Sequence, residues 1–371
     1  MGKNAGALDC DSIGMGLIMI FEKSPFSEEQ TPVENLGWMM MGYRMTQLVY
    51  VAAELGIADH LFDGPKSVAE LATSIQVDKD NLYRVMRALV SINIFDLNEK
   101  DEYMLNSISR LLCQNTEGSL RSFAIRHGAP WSWLPWGALI HAIRTGENAF
   151  EHVFGQSHWE YLSNHPDIQE GFSCSMAEST AMLSAAIEDM VNFPENGKVI
   201  DVGGGFGFLL GDILKGHPTI TGILFEQAEV IQRAKGILER QNVMHRCQLV
   251  SGNFFEGVPQ SGDLYILQRI IHDWEDSKAL QILKNCRKAM GEKSRLLIIE
   301  RIMPNGPSPS PVKIVDVTVM VLYGNGKERT ELEIRNLLSK ANLVISRILP
   351  LPTSSAVIET AGYSLIEAVP N

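Results

Sequence analysis

The chain has 371 residues, 45% hydrophobic and 20% charged, a balance that suits a soluble protein of two domains with sizeable cores. Its formal net charge of −12 argues against wrapping nucleic acid or lying on anionic lipid, because both reward a basic face. The five cysteines (Cys10, Cys113, Cys174, Cys247, Cys286) are odd in number and lack a C-x-x-C pair, which fits reduced thiols of a cytoplasmic protein better than a disulfide frame or a zinc site.

Residues 1–36 read as a variable, weakly ordered extension. The apolar run "IGMGLIMIF" (13–21) is too short to span a bilayer, and it lacks the basic flank and cleavage site of a secretory signal. "MGKNAG" lacks the Ser/Thr that a myristoylation motif carries at its sixth position. Residues 37–115 read as a first domain. Ser67 and Glu70 have the capping-box spacing, with Val68, Leu71 and Ile75 following at helical intervals. Leu82, Val85, Met86 and Leu89 mark a second amphipathic helix, and "IFDLNEKDEYML" (94–105) reads as two short strands around a polar turn. Helix, turn, helix, hairpin is the order of a winged helix. Arg84 and Arg87 make only a thin basic face on the second helix, so a dimerisation module is favoured over a DNA reader.

Residues 116–191 look helical and rich in Trp, His and Met, and "NFPENGK" (192–198) is a loop-forming break. From 192 to 371 the short apolar runs "KVIDV", "GILF", "CQLV", "LYIL" and "RLLIIE" are separated by helical stretches, as in a parallel sheet covered on both faces. "DVGGGFGFLL" (201–210) follows the first of these runs. A dinucleotide fingerprint G-x-G-x-x-G fails in both registers, since its sixth position falls on Phe208 or Leu210. D-x-G-x-G-x-G fits instead, with Asp201, Gly203, Gly205 and Gly207. An acid in that turn repels a pyrophosphate and suits a cationic ligand. Glu226 ends the next strand, where an acid grips a ribose diol. S-adenosylmethionine satisfies both signals; a tight structural turn is the bland alternative.

"LYILQRIIHDWED" (264–276) sets His272 and Asp273 just past another strand, where open α/β sheets place ligands. The same pair could instead cap a helix beginning near Glu275. In "GNGKERTELE" (324–333), Thr330 and Glu333 have capping-box spacing, which would hold Glu328 rigidly enough to orient a histidine. The Trp-rich "HGAPWSWLPW" (127–136) suits a flat apolar substrate and equally a helix core or dimer interface. No H-E-x-x-H, C-x-x-C or unassigned carboxylate cluster is present, so metal-independent chemistry is expected.

DVGGGFG (201–207), GNFFEGVP (252–259), IIHDW (270–274), IIER (298–301) and GKERT (326–330) occur in this order and strongly resemble the small-molecule O-methyltransferases of the caffeate, hydroxyindole and polyketide-tailoring type. The resemblance covers about residues 37–368. It implies a mostly α winged-helix dimerisation domain followed by a Rossmann-like α/β methyltransferase domain, a homodimer, and S-adenosylmethionine converted to S-adenosylhomocysteine. It further implies that His272 is the general base, that Glu300 and Glu328 flank and orient it, and that Asp273 lies near the sulfonium. Asp201, Gly203 and Gly205 would form the methionine-side turn, Glu226 the ribose contact, and Phe254 and Trp274 the adenine walls. Thr180 would stand near the cofactor carboxylate. Phe172 and Met176, in the lid-like "FSCSMAEST" (172–180), would face the substrate together with Val319 and Tyr323. Two positions depart from the family. Asn253 replaces a usual Asp at the adenine amino group, and Gln268 replaces a Lys or Arg, removing a cationic partner for the cofactor carboxylate.

The expected reaction is methylation of a phenol or enol of a small, largely apolar molecule. A phenol near pKa 10 and a histidine near 6.5 differ by roughly 3.5 units, about 5 kcal/mol, so the proton should move as the methyl arrives. A carboxylate on the far ring nitrogen would strengthen the base. The rival readings are a family member that binds the cofactor but catalyses a rearrangement, decarboxylation or hydroxylation, and a winged-helix DNA-binding regulator.

Overall fold

The computed structural model describes residues 31–116, 118–352 and 361–371. Most of the expected extension, including residues 13–21 and Cys10, lies outside them. The chain divides into two compact units, one ending at Ala129 and the other starting at Pro130. That division falls inside the segment 116–191, so residues 116–129 go with the first unit and 130–191 with the sheet.

In the first unit, α1 (Pro32–Glu54) begins inside the segment set aside as an extension, because Thr31 and Glu34 form a capping box. Then come α2 (Ile57–His60), α3 (Val68–Ile75) and α4 (Lys79–Ser91). Ser67 and Glu70 cap α3 reciprocally, and the Asp78 carboxylate caps α4 by accepting from the Asn81 N–H at 2.8 Å. Strands β1 (Phe95–Leu97) and β2 (Tyr103–Leu105) pair antiparallel. Leu71, Leu82, Met86, Leu89, Phe95 and Tyr103 close one core, so the helix–turn–helix–hairpin pattern is present. Helix α5 (Arg121–Gly128) lies against α1, where a Cβ on Gly128 would stand 2.1 Å from that of Tyr50.

The second unit opens with α6 (Pro130–Gly137), α7 (Leu139–Thr145), α8 (Ala149–Phe154), α9 (His158–Asn164) and α10 (Pro166–Met190). There follow β3 (Lys198–Val202), α11 (Phe208–Gly216), β4 (Thr221–Glu226), α12 (Ala228–Arg240), β5 (Cys247–Ser251), β6 (Leu264–Gln268), α13 (Asp276–Ala289) and β7 (Arg295–Arg301). The chain ends with α14 (Pro311–Tyr323), α15 (Glu331–Lys340), β8 (Leu343–Pro350) and β9 (Tyr363–Pro370). The seven strands run β5-β4-β3-β6-β7-β9-β8. β3 to β7 are parallel, as the apolar runs predict, but β9 is antiparallel to both β7 and β8. The sheet is therefore mixed, with β8 and β9 consecutive in the chain, neighbours in the sheet and antiparallel to each other.

Side chains alternate across the sheet, so each face has its own core. Ile200, Val202, Tyr265 and Leu267 pack with Ile282, Leu283 and Cys286 of α13 and Leu337 of α15. Val199, Leu264 and Ile266 pack with Leu210, Ile213 and Leu214 of α11, Leu238 of α12, and Leu183 and Ile187 of α10. Each such large side chain contributes about 1.5–3 kcal/mol by leaving water. The order in which strands are added to the sheet reverses between the parallel neighbours β3 and β6, and doubly wound sheets bind ligands at the carboxyl ends of the strands at such a point.

Candidate active site

Gly203, Gly205 and Gly207 all have positive φ (71°, 57° and 76°), which is why this turn after β3 is glycine-rich. A Cβ at Gly205 would meet nothing within 4 Å, so that residue borders open space. At Gly203 it would come within 2.6 Å of Ile270 and 3.5 Å of Phe254, which joins the turn to the segment after β6. Glu226, at the end of β4, accepts from the Gly205 N–H at 3.0 Å and so lies beside the same opening. Asp201 sits beneath the turn: it is 1% exposed, and a Cβ on Gly204 would collide with its carboxylate at 2.2 Å. Neither carboxylate oxygen has a hydrogen-bond partner among the described residues.

Burial, reinforced by the charge of Glu226, pushes Asp201 up to about 7. The folded chain thus holds a proton that an unfolded Asp near 3.9 releases. Stability is lost as pH climbs between those values and, above the folded pKa, by roughly 4 kcal/mol. Asp201→Asn is therefore expected to raise the melting temperature of the ligand-free protein at pH about 8 and to do so far less near pH 4. Calorimetry at the two pH values checks this; an equal shift at both would show that the charge is not the cause.

The 3₁₀ turn Ile271–Asp273 follows β6 and carries His272. Glu300 on β7 secures this turn, its Oε1 accepting from the backbone N–H groups of Ile270 and Ile271, both at 2.9 Å. Its other oxygen lies 3.7 Å from His272 Nδ1. The direct partner of Nδ1 is Glu328 Oε1 at 3.0 Å, and Asp273 Oδ1 is 3.3 Å from Nε2. The helix-cap alternative for His272 and Asp273 fails, because α13 takes Glu275 as its N-cap and no side chain bonds there.

The GKERT loop clasps this turn residue by residue. Lys327 N–H donates to His272 O at 2.9 Å, and Arg329 donates to Ile271 O at 2.6 Å and Trp274 O at 2.7 Å. Thr330 and Glu333 form the expected capping box that starts α15. Gly326 passes so close that a Cβ would stand 2.5 Å from His272 O. Gly326→Ala is accordingly expected to cost about 1–3 kcal/mol, the usual penalty of overpacking, and to lower turnover with it. Denaturant unfolding measures the first; an undiminished midpoint would contradict the close approach.

Burial disfavours a charged imidazole, but Glu300, Asp273 and Glu328 together outweigh it and raise His272 to about 10. The carboxylates diverge. Burial raises Asp273 to about 7 and also raises Glu300. Glu328 is held below the usual carboxylate range: burial opposes this, but His272 and then Arg301, at 3.4 Å, outweigh it. His272, Glu300 and Glu328 also place donor atoms within 4.8 Å of one another, close enough to chelate a cation.

The other expected residues gather in two groups. Phe254 and Trp274 are edge-on at 6.0 Å. Asn253 turns its Oδ1 to the Phe255 N–H at 3.0 Å, bending the loop that carries Phe254. Phe172 on α10 meets His158 edge-on at 5.6 Å, and Tyr323 on α14 meets the same ring at 4.8 Å. Val319, one turn before Tyr323, is buried. Two residues of α9 that sequence reasoning did not single out join these groups. Trp159 stacks on Tyr323 (5.4 Å, 11°) and on Trp274 (6.2 Å, 24°), while His158 lies buried among five rings. The Trp159 Nε1–H is buried without a partner among the described residues.

Gln268 is neutral, yet its neighbour supplies a cation. Arg269 has φ 55°, a left-handed backbone that re-aims its side chain at α10. It donates to Ser179 Oγ at 2.9 Å, to Met176 O at 3.1 Å and to the Thr180 hydroxyl. Arg269 thus sets a guanidinium beside Thr180, one residue along from the neutral Gln268. The signal was the adjacent arginine, and its direction depended on a dihedral angle that the sequence does not display.

The open glycine turn with an acid at the end of β4 suits a ribose, and the buried, partnerless Asp201 with the carboxylates around His272 suits a cation. These residues fit an adenosyl sulfonium, and the fold and site define a methyltransferase that uses S-adenosylmethionine. Residues 136–343 match the O-methyltransferase domain family and residues 39–115 match the O-methyltransferase dimerisation domain. The chain is 39% identical to a phenazine O-methyltransferase, PhzM, of Lysobacter antibioticus, over 86% of this chain and 94% of that one. It is 31% identical to a mitomycin biosynthesis 6-O-methyltransferase of Streptomyces lavendulae (85% and 90% covered) and to a phenazine-1-carboxylate N-methyltransferase of Pseudomonas aeruginosa (88% and 96%). The crystal structure of LaPhzM superposes with a TM-score of 0.85 at 38% identity, covering 92% of this chain and all of that one. A neocarzinostatin-biosynthesis O-methyltransferase solved with S-adenosylmethionine and 2-hydroxy-5-methyl naphthoic acid gives 0.75 at 27% identity (88% and 96%). The chain belongs to the O-methyltransferase family of secondary-metabolite tailoring enzymes.

Proposed function

We propose that this enzyme methylates a phenolic hydroxyl on a planar, largely apolar aromatic molecule, with His272 as general base. The observation that carries this reading is the buried His272 imidazole, fixed through Nδ1 by Glu328 with Nε2 directed towards Asp273. When bound, S-adenosylmethionine supplies an electrophilic methyl group on a positively charged sulfur. Asp201, Gly203, Gly205 and Glu226 would hold its methionine and ribose portions, and Asn253, Phe254 and Trp274 its adenine. Thr180 and Arg269, in place of Gln268, would hold its carboxylate.

His272 Nε2 takes the acceptor's proton, and the raised basicity matters here. A base near 10 is level with a phenol, whereas an ordinary histidine falls about 3.5 units short. An aliphatic alcohol remains far weaker an acid, so the match favours phenols. A bound cation beside Asp273 would in turn ease the proton off resting His272. Arg301 and protonated His272 already supply positive charge to the carboxylates, which favours metal-independent transfer. The aromatic residues Trp159, Phe172 and Tyr323, with Met176, would contact the acceptor; the relatives that act on phenazines support a flat, fused-ring acceptor. In the first unit, Leu36, Met40 and Tyr43 of α1 are exposed at helical spacing, an apolar stripe that suits a homodimer contact.

Incubation with methyl-labelled cofactor and a panel of hydroxylated phenazines, naphthoates, aromatic amines and aliphatic alcohols tests the assignment. Label in the phenols is expected, with undiminished yield after chelator treatment. Label confined to ring nitrogens or amines would replace O- by N-methylation, and no transfer despite cofactor binding would favour the non-methylating alternative.

A further inference from the structure

A second cluster of metal-ligating side chains, sharing no residue with the one at His272, is carried by α7, α8 and the turn between them. His141, Glu147 and His152 each offer one ligand atom, and those atoms all lie within 4.8 Å of one another. We propose that these three residues bind one divalent transition-metal ion of the zinc, cobalt or copper class.

The geometry is close to assembled. His141 Nε2 is 2.8 Å from Glu147 Oε2, and the His141 and His152 rings lie face to face with centroids 3.7 Å apart. A modest rotation of the stacked rings would turn one nitrogen of each towards a shared ion beside the carboxylate. Two imidazoles and one carboxylate are a borderline donor set that selects zinc, cobalt or copper over magnesium or calcium. Three protein ligands leave a coordination position to water.

The backbone beneath these side chains is braced by bonds that the metal would not need to form. Thr145 Oγ1 donates to His141 O at 2.9 Å, and Glu147 N–H donates to Thr145 Oγ1 at 3.1 Å. Gly146, at φ 75°, ends α7. Asn148 caps α8 and donates to Met320 O at 3.0 Å, which ties the turn to α14. Little backbone entropy therefore remains to be lost on binding. Entry is open, with the His141 side chain 26% and the Glu147 side chain 69% exposed. The mechanism proposed for methyl transfer assigns none of the three a role.

The test uses the full-length protein freed of metal with a chelator. Titration with Zn²⁺ by calorimetry and with Co²⁺ by visible absorption is expected to give one site per chain of micromolar or tighter affinity. Electron paramagnetic resonance with one equivalent of Cu²⁺ should show coupling to two imidazole nitrogens. The double variant His141→Ala/His152→Ala should lose two or more orders of magnitude in affinity while keeping its circular dichroism spectrum, and Glu147→Gln should lose less. His272→Ala should retain the site, which separates it from the cluster at His272. Binding no tighter than millimolar, binding unchanged in the double variant, or binding lost in His272→Ala would each overturn the proposal.

Discussion

His272→Ala is expected to lower kcat by about 10³-fold, within the 10²–10⁴ range of a lost general base, while cofactor affinity changes little. The His272 ring bonds Glu328 and lies beside Asp273 and Glu300, whereas the proposed cofactor cradle is built on the turn after β3 and on Glu226. Alanine also strips the buried carboxylates of a positive neighbour, which threatens stability by roughly 3–5 kcal/mol. His272→Gln is the informative companion, because its amide N–H can still donate to Glu328 but cannot accept a proton at physiological pH. Both variants should bind S-adenosylhomocysteine by calorimetry and fail to transfer the methyl group. Unchanged turnover in either would remove His272 from the mechanism.

The second large effect belongs to Glu328→Gln. His272 holds its proton up to about 10 because three carboxylates surround it, so the rate should rise with pH as that proton leaves. Removing one negative charge lowers the proton affinity, and the rising limb of kcat/KM must move to lower pH. The glutamine carbonyl still accepts from Nδ1–H, so the plateau should fall by about 10²-fold at most. A residue that merely filled space would lower the rate and leave the limb where it was. A pH–rate profile of wild type and variant, read together, decides between the two.

These effects were legible in unequal measure before the structure. The capping boxes at Ser67 and Thr330 were readable because cap chemistry spans only three residues, and each forms as its spacing implies. Short apolar runs located β3 to β7, but β8 and β9 went unread. Pro350 and the polar residues alternating along "LVISRILP" blur the apolar signature, and an antiparallel edge obeys a different pattern from a buried parallel strand. His272, Glu300 and Glu328 were recognisable as a set, but not their division of labour. Glu300 secures the backbone of the turn while Glu328 bonds the ring. Arg269 carries no motif of its own in the sequence, and Trp159, an isolated tryptophan on a short helix, carries no periodic signal.

By itself, the sequence determined the helix–turn–helix–hairpin order, the runs that become β3 to β7, a glycine turn that fails the dinucleotide fingerprint, and the residue types a methyl transfer requires. All of these depend on near neighbours, where spacing along the chain is a direct measure of geometry. The tertiary structure alone decided that Glu328, fifty-six residues beyond His272, becomes its hydrogen-bond partner. It also decided that three carboxylates stand close enough to His272 to outweigh its burial and raise it to about 10, and that a left-handed Arg269 reaches Thr180. Coulomb interaction and desolvation depend on distance through space and on burial, and both come into being only when the sheet brings the ends of β3, β6 and β7 and the GKERT loop together.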